Sequence, residues 1–319
     1  YTLVYTLSLH ELFRSLRTPE AAVFVSGVTS MGLEILAGRL IAPEFGSGIY
    51  TWGSIIGVFL VALSLGYWYG GKRAASRASP LELARILAQS ALFVAFLLAA
   101  GDAVLQVSDA LPLPGRYAPI VPIAILFGPP VFLLGFISPY AAELSLATST
   151  GGASGRVYAL GTIGSIVGSF GTTFVLVPSF SVGVVELLFG GLLVVAAAVI
   201  VVREAPRSME AVRVAVVAIL VVGAFVFGST GLATGGSTVY QTQTPYQQLE
   251  VTDEDGVRTL YLDGTPQSAT YVDGRQGYVF EYLRYFHIPM LVQDDVTNVL
   301  FIGGGGFTAP QRYVEEYPN

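Results

Sequence analysis

Long apolar runs dominate the first 230 positions. Each is long enough, or nearly so, to cross a bilayer core, which takes about 20 helical residues. We place seven segments at 20–42, 52–71, 83–101, 119–143, 156–177, 181–202 and 212–229. Arg85 and Arg213 stand near the starts of the third and seventh, where long side chains can reach the interface. The pattern predicts an α-helical polytopic membrane domain of about seven transmembrane helices over 20–230, after an amphipathic lead-in at 1–19.

The pattern changes after about Gly235 to short, alternating apolar runs. Leu249 and Val251, then Thr259–Leu262, flank the dipeptide Asp255-Gly256, which is a strong signal for a two-residue hairpin turn. We therefore predict a small β-strand module at 237–272.

The last segment, 273–319, predicts a helix, a strand, a glycine loop and a second helix. Tyr278–Leu291 has helical length, Val299–Ile302 is a short apolar run, and Thr308 is a candidate N-cap with Pro310 in the first turn. Strand, glycine loop and helix in this order open nucleotide-binding α/β domains, where glycine lets a ligand approach the backbone N–H groups. The alternative, a loop with a purely structural role, carries equal weight.

Composition supports a membrane protein. Hydrophobic residues make up 53% of the chain and charged residues 12%, with a mean hydropathy of +0.65, whereas about a quarter of the residues of soluble proteins are charged. The absence of cysteine excludes disulfides and cysteine-based metal or redox sites. Two distant histidines do not suggest a metal cluster, so no metal is expected.

Two intramembrane carboxylates are candidate polar sites. Glu34 lies in a stripe with Gly27, Ser30 and Gly38, and this spacing predicts that it faces other helices rather than lipid. It is either a packing residue or a contact for a cation or polyamine. Glu143 follows a segment that Pro129-Pro130 and Ser138-Pro139 should kink or interrupt.

Glycines recur in the fifth segment at Gly161, Gly164, Gly168 and Gly171. This spacing predicts a close contact with a neighbouring helix.

Several short motifs together resemble the polyamine aminopropyltransferases, or spermidine synthases, and more closely the membrane-fused spermidine-synthase-like proteins of bacteria and archaea. In the water-facing part these are Pro245-Tyr246-Gln247, Leu262-Asp263-Gly264 with Gln267, Phe280–Phe286, and the Val299 run with its glycine loop. In the first two helices they are Met31–Glu34, Gly38-Arg39-Leu40, Pro43–Gly48, Tyr50-Thr51-Trp52 and Gly66–Gly71.

The resemblance implies a β module followed by a Rossmann-like domain that binds decarboxylated S-adenosylmethionine and transfers its aminopropyl group to a polyamine acceptor. It implies that Gln247 contacts the donor and that Asp263 and Gln267 help to close the site. The loop residues that would cradle the adenosyl-methionine part are Gly303, Gly304, Gly305 and Gly306.

Two departures from the family pattern leave enzymatic activity open. Gly306 stands where an acidic residue usually follows three glycines, and the acidic ribose contact and catalytic aspartate would fall beyond Asn319. We therefore expect the gene to continue past this residue. The alternatives are a polyamine or small-molecule transporter or sensor, and an inactive scaffold. The expected partners are the bilayer, a small cation and a second copy of the chain, but no nucleic acid.

Basic residues near the membrane segments predict the orientation in the plasma membrane. They fall on one side if every segment spans, and the positive-inside rule places that side in the cytoplasm. These residues are Arg14, Arg17, Lys72, Arg73, Arg77, Arg85, Arg156, Arg203, Arg207 and Arg213. Seven crossings from a cytoplasmic N-terminus would leave 237–319 outside the cytoplasm.

Overall fold

The computed structural model describes residues 18–145, 150–206, 208–229, 237–244, 247–262, 265–293, 296 and 298–317. The chain divides into two compact units, Tyr1–Gly231 and Leu232–Asn319.

The first unit is helical. Its helices are α1 (Thr18–Phe45), α2 (Ile49–Arg77), α3 (Pro80–Asp109), α4 (Ile120–Leu126), α5 (Gly128–Ser145), α6 (Thr150–Gly171), α7 (Val182–Glu204) and α8 (Met209–Ser229). A π-helical stretch at Thr172–Leu176 and a turn at Val177–Ser179 prolong α6.

Six of these helices are long and apolar enough to cross a membrane, which fits the predicted multi-pass membrane protein. The pair formed by α4 and α5 passes the same test together but is bent by 53°. The bend falls at Phe127, just before Pro129-Pro130, because these two prolines have no N–H groups to donate to the carbonyls of the preceding helical turn. The expected interruption of this segment is confirmed, while Pro139 lies inside α5.

Glycine contacts bring α1 and α6 close together, as the sequence predicted for the fifth segment. A Cβ atom at Gly164 would overlap the backbone of Phe24, and one at Gly168 would overlap that of Val28. Because the contacts advance in the same direction along both helices, α1 and α6 run parallel. The same holds for α2 and α5, where Gly66 meets Phe132 and Gly135, and Gly70 meets Phe136.

Ion pairs connect residues near the N-terminal ends of different helices. Glu20, buried at the start of α1, binds Arg156 near the start of α6 at 3.1 Å. Glu210, buried at the start of α8, binds Arg85 of α3 at 2.8 Å and Arg213 at 2.6 Å. Helix α3 begins with Ser79 as N-cap, whose side chain accepts a hydrogen bond from the Glu82 N–H.

The second unit contains a four-stranded antiparallel sheet in the order β1-β2-β3-β4, with β1 (Ser237–Gln243), β2 (Gln248–Glu254), β3 (Val257–Leu262) and β4 (Thr265–Tyr271). Asp255 and Gly256 form the turn between β2 and β3 with φ of +49° and +74°, as a two-residue hairpin turn requires. The small C-terminal sheet and the Asp-Gly hairpin are therefore confirmed.

The segment after the sheet departs from the prediction. Residues 299–302 are not in a strand, and Ile302 is 93% exposed. The four described strands pair only among themselves, so this segment pairs with none of them. The structure therefore does not show a Rossmann-like domain.

The helices of this segment also differ from the predicted ones. A 3₁₀ helix covers Glu281–His287, followed by α9 (Ile288–Val292), so Tyr278–Phe280, which belong to the predicted helix, lie outside the observed helices. The last helix, α10 (Thr308–Glu316), has Phe307 rather than Thr308 at its N-cap, and Pro310 lies in its first turn as predicted.

Candidate functional site: the glycine loop and its cavity

The glycine loop makes a tight turn before α10. Gly303 and Gly305 have φ of +82° and +50°, and Phe307 has φ of +59°, which is uncommon for a residue with a side chain. The Phe307 N–H donates to the Gly304 carbonyl at 2.8 Å and closes the turn. These backbone values require glycine at two of the four positions, so the loop has a structural reason for its composition.

A hydrogen bond between two side-chain hydroxyls connects the start of α10 to the sheet. The hydroxyls of Ser268 on β4 and Thr308 lie 2.7 Å apart, and both residues are buried. A Cβ atom on Gly306 would lie 2.9 Å from the Ser268 Oγ atom, closer than a side chain tolerates. Gly306 therefore serves the packing of the loop onto β4.

A small cavity of about 110 Å³ lies between β4, the 3₁₀ helix and the loop. Its polar wall includes Gln267, the two bonded hydroxyls and the loop backbone, and its other wall is aromatic and aliphatic. The Gln267 carbonyl lies near Gly305, and its side-chain amide donates to the Thr265 carbonyl at 3.4 Å. The lining residues that the sequence predicted for the site are Gln267, Gly303, Gly304 and Gly305. Pockets for drug-sized ligands take about 300–1,000 Å³, so this cavity holds one end of such a ligand rather than the whole.

The apolar wall was not predicted as part of the site. Tyr282 and Phe286 on the 3₁₀ helix and Phe301 before the loop line the cavity. Their rings meet edge to face, with centroids 6.4 Å apart for Tyr282 and Phe286 and 6.1 Å apart for Phe286 and Phe301. The aromatic spacing in residues 280–286 is the sequence signal that could have found them.

His287 belongs to a neighbouring aromatic cluster. Its Nε2 atom lies 2.6 Å from the Tyr278 hydroxyl and its Nδ1 atom 3.2 Å from the Tyr317 hydroxyl, and its ring stacks on Tyr313. Burial raises the pKa of Tyr278 above its usual value of 10, and Glu316 adds to the shift. With both ring nitrogens bonded to tyrosine hydroxyls, His287 has a structural role here.

The predicted donor contact Gln247 is not among the residues that line the cavity. Gln247 closes the turn between β1 and β2, where its N–H donates to the Thr244 hydroxyl at 2.9 Å, and it is exposed. Asp263 lies outside the described residues.

Both intramembrane carboxylates belong to the first unit. Glu34 is half-buried on α1, in a stripe whose Gly27 packs against α6 and whose Gly38 packs against the Trp52 ring of α2. Glu143, near the end of α5, is exposed. Within the described residues no group of three or more histidines and carboxylates could hold a metal ion.

No family matches this chain. Comparisons with protein-family models, curated proteins and solved structures all found no similar sequence or fold. The function must therefore be argued from the geometry of the chain itself and from the motif resemblance.

Proposed function

We propose that this protein is a membrane-anchored, spermidine-synthase-like transferase whose C-terminal unit binds an S-adenosyl-type donor, decarboxylated S-adenosylmethionine, at the glycine loop. One observation carries the proposal: Gln267 and the loop glycines, which the motif resemblance groups in one site, line the same cavity. The loop and α10 would form the beginning of a Rossmann-like unit.

The wall opposite Gln267 suits a cationic donor. Among the described residues that line the cavity none is charged, whereas Tyr282, Phe286 and Phe301 line it, and aromatic faces attract cations such as sulfonium or ammonium groups. The cavity volume fits the short aminopropyl arm near the sulfonium, with the nucleoside extending outward over the loop.

In the proposed reaction the neutral acceptor amine attacks the aminopropyl carbon that is bonded to the sulfonium sulfur. The new C–N bond forms as the C–S bond breaks, methylthioadenosine leaves with the bonding pair, and the new ammonium releases a proton. Attack needs the acceptor amine in its neutral form, so a base must take a proton from it. Gln267 would position the donor, because its amide can hydrogen-bond but does not titrate.

Calorimetry on the purified protein tests donor binding. Decarboxylated S-adenosylmethionine or methylthioadenosine should release heat, and Gln267→Ala should weaken binding about tenfold, the equivalent of one lost hydrogen bond of about 1.4 kcal/mol. Gln241→Ala, an exposed glutamine on β1, is the matched control and should bind as the unmodified chain does.

A second substitution tests the backbone approach. A Cβ atom at Gly304 would meet only the Phe307 ring, at 3.4 Å, so Gly304→Val should fold but obstruct the ligand. Absence of heat with both nucleosides, or equal affinity of the Gln267 and Gln241 variants, would contradict the proposal. That result would favour the transporter or sensor, or a scaffold without catalysis.

A further inference from the structure

A second cavity lies inside the helical unit, and its walls carry hydroxyl groups. It measures about 190 Å³ and is lined from four helices, by Ser26 and Ser30 on α1, Tyr67 on α2, Ser138 on α5, and Tyr158 and Ser165 on α6. We call it the hydroxyl cavity. Of the described residues that line it none is charged, and neither Glu34 nor Glu143 is among them.

The hydroxyl cavity reaches deep into the unit from one end. Ser30 lies ten residues beyond Glu20, whose ion pair with Arg156 marks that end, and at 1.5 Å per residue this is about 15 Å. The hydrocarbon core of a bilayer is about 30 Å thick. Ser30 therefore lies about half the thickness of a bilayer core from that end of the unit, while Tyr158, 72% exposed, lies close to the end.

Ser30 has an unmet hydrogen-bonding requirement. It is 5% exposed, and its Oγ atom has no partner among the described residues. By contrast, Ser26 donates to the Leu134 carbonyl at 3.1 Å. A buried hydroxyl without a partner is costly, above all where lipid excludes water. In this structure the Oγ atom has less than 1 Å² of accessible surface, so it would bond to a polar occupant of the cavity after a rotation of the Ser30 side chain.

The walls define the chemistry of that occupant. Hydroxyls both donate and accept hydrogen bonds, so they suit a molecule with groups of both kinds. An ion would enter without a counter-charge, at a high cost in a low-dielectric interior. The volume has room for on the order of six water molecules, which corresponds to a small polyol or amide.

We propose that the hydroxyl cavity binds a small uncharged polar solute, a polyol or amide with about six heavy atoms or fewer. The proposal rests on the helical unit alone and does not depend on donor binding at the glycine loop.

Cysteine labelling provides the test, because the natural chain has no cysteine. Ser30→Cys in the full protein, in lipid nanodiscs, should react with the small neutral reagent methyl methanethiosulfonate at least about tenfold faster than Ser90→Cys. Ser90 is the matched control, since it is fully buried in α3 and donates to the Ile86 carbonyl at 2.9 Å. Glycerol or acetamide should slow the Ser30→Cys reaction in a saturable manner, whereas putrescine should not.

Each other outcome overturns the proposal. Equal rates for the two variants would show that solutes do not reach Ser30. Labelling that neither glycerol nor acetamide slows would show a cavity that holds water only, and protection by putrescine alone would show a cation site. If Ser30→Cys does not fold, Ser165→Cys, half-buried on the facing wall, takes its place with the same expected results.

Discussion

The packing of α1 against α6 gives a quantitative prediction for a single methyl group. A Cβ atom at Gly168 would lie 2.8 Å from the Val28 C and Cα atoms, whereas carbon atoms pack at about 3.5–4.0 Å. The Gly168→Ala variant must therefore push the two helices apart by about 1 Å. Overpacking of this kind costs about 1–3 kcal/mol, against a gain of about 1 kcal/mol from replacing a helical glycine by alanine.

Gly171 is the matched control, because it ends the same helix and a Cβ atom there would meet nothing within 4 Å. Gly171→Ala should have the same stabilising effect of alanine on the helix, without the steric overlap with α1. The difference in unfolding free energy between the two variants should therefore be about 1–3 kcal/mol, with Gly168→Ala the less stable. Reversible unfolding by SDS in mixed micelles, followed by near-UV circular dichroism, measures it. Equal stabilities, or a more stable Gly168→Ala, would refute the close contact.

Three further predictions concern single sites in both units. Glu210→Gln should lower the unfolding free energy of the helical unit by about 1–3 kcal/mol, because it weakens the charged hydrogen bond from Arg85; SDS unfolding measures the loss, and an unchanged midpoint would contradict it. Gly256→Ala should destabilise the sheet by at least about 1 kcal/mol, because φ is +74° there; thermal circular dichroism of the sheet signal checks this, and an unaltered melting temperature would count against it. Arg258 donates a hydrogen bond to Asp253 and lowers the pKa of that carboxyl below its usual value of 3.8. This pair therefore stabilises the sheet above pH ~4, and the stabilisation is lost as the pH falls through the folded-state pKa. Asp253→Asn should make the stability of the sheet less dependent on pH in that range.

Features that depend on local sequence could be predicted. Apolar runs of about 20 residues specify membrane helices because lipid leaves the backbone no other partners. The dipeptide Asp255-Gly256 predicted a hairpin because the positive φ angles of a two-residue hairpin turn suit few other residues. Pro129-Pro130 specified a break because proline removes a donor and restricts its predecessor.

Features that depend on distant partners could not be predicted in this way. Val299–Ile302 has the composition of a strand, but a strand forms only where it pairs with another, and this segment pairs with none of the described strands. Phe307 rather than Thr308 is the N-cap of α10, and the Thr308 hydroxyl pairs with the distant Ser268. The hydroxyl cavity joins side chains of four helices, so only the folded chain brings them together.

The parallel arrangement of α1 and α6 decides how many times the chain crosses the membrane. If α1 crosses from the first face of the membrane to the second, α2 crosses back and α3 again ends at the second face. Helix α6 can run parallel to α1 only if it starts at the first face. The bent pair α4 and α5 must therefore cross back to the first face. The 3.1 Å contact of Glu20 with Arg156 places both helix starts at the same end, and α5 runs parallel to α2 as this requires. We therefore expect seven crossings, with the chain leaving the helical unit at the face opposite Thr18.

With an odd number of crossings, the N-terminus and the C-terminal unit lie on opposite sides of the membrane. The side of the N-terminus therefore decides whether the C-terminal unit can reach a cytosolic donor. The basic residues put the N-terminus in the cytoplasm, which would place the glycine loop outside, away from a donor made in the cytosol. The transferase proposal instead requires the reverse orientation. Protease treatment of intact cells distinguishes the two, with one epitope placed before Tyr1 and another after Asn319. We expect only one of the two epitopes to be cleaved, and loss or protection of both would refute seven crossings. Cleavage of the C-terminal epitope alone would exclude cytosolic donor transfer, whereas cleavage of the N-terminal epitope alone would leave the cavity beside Gln267 facing its proposed substrate.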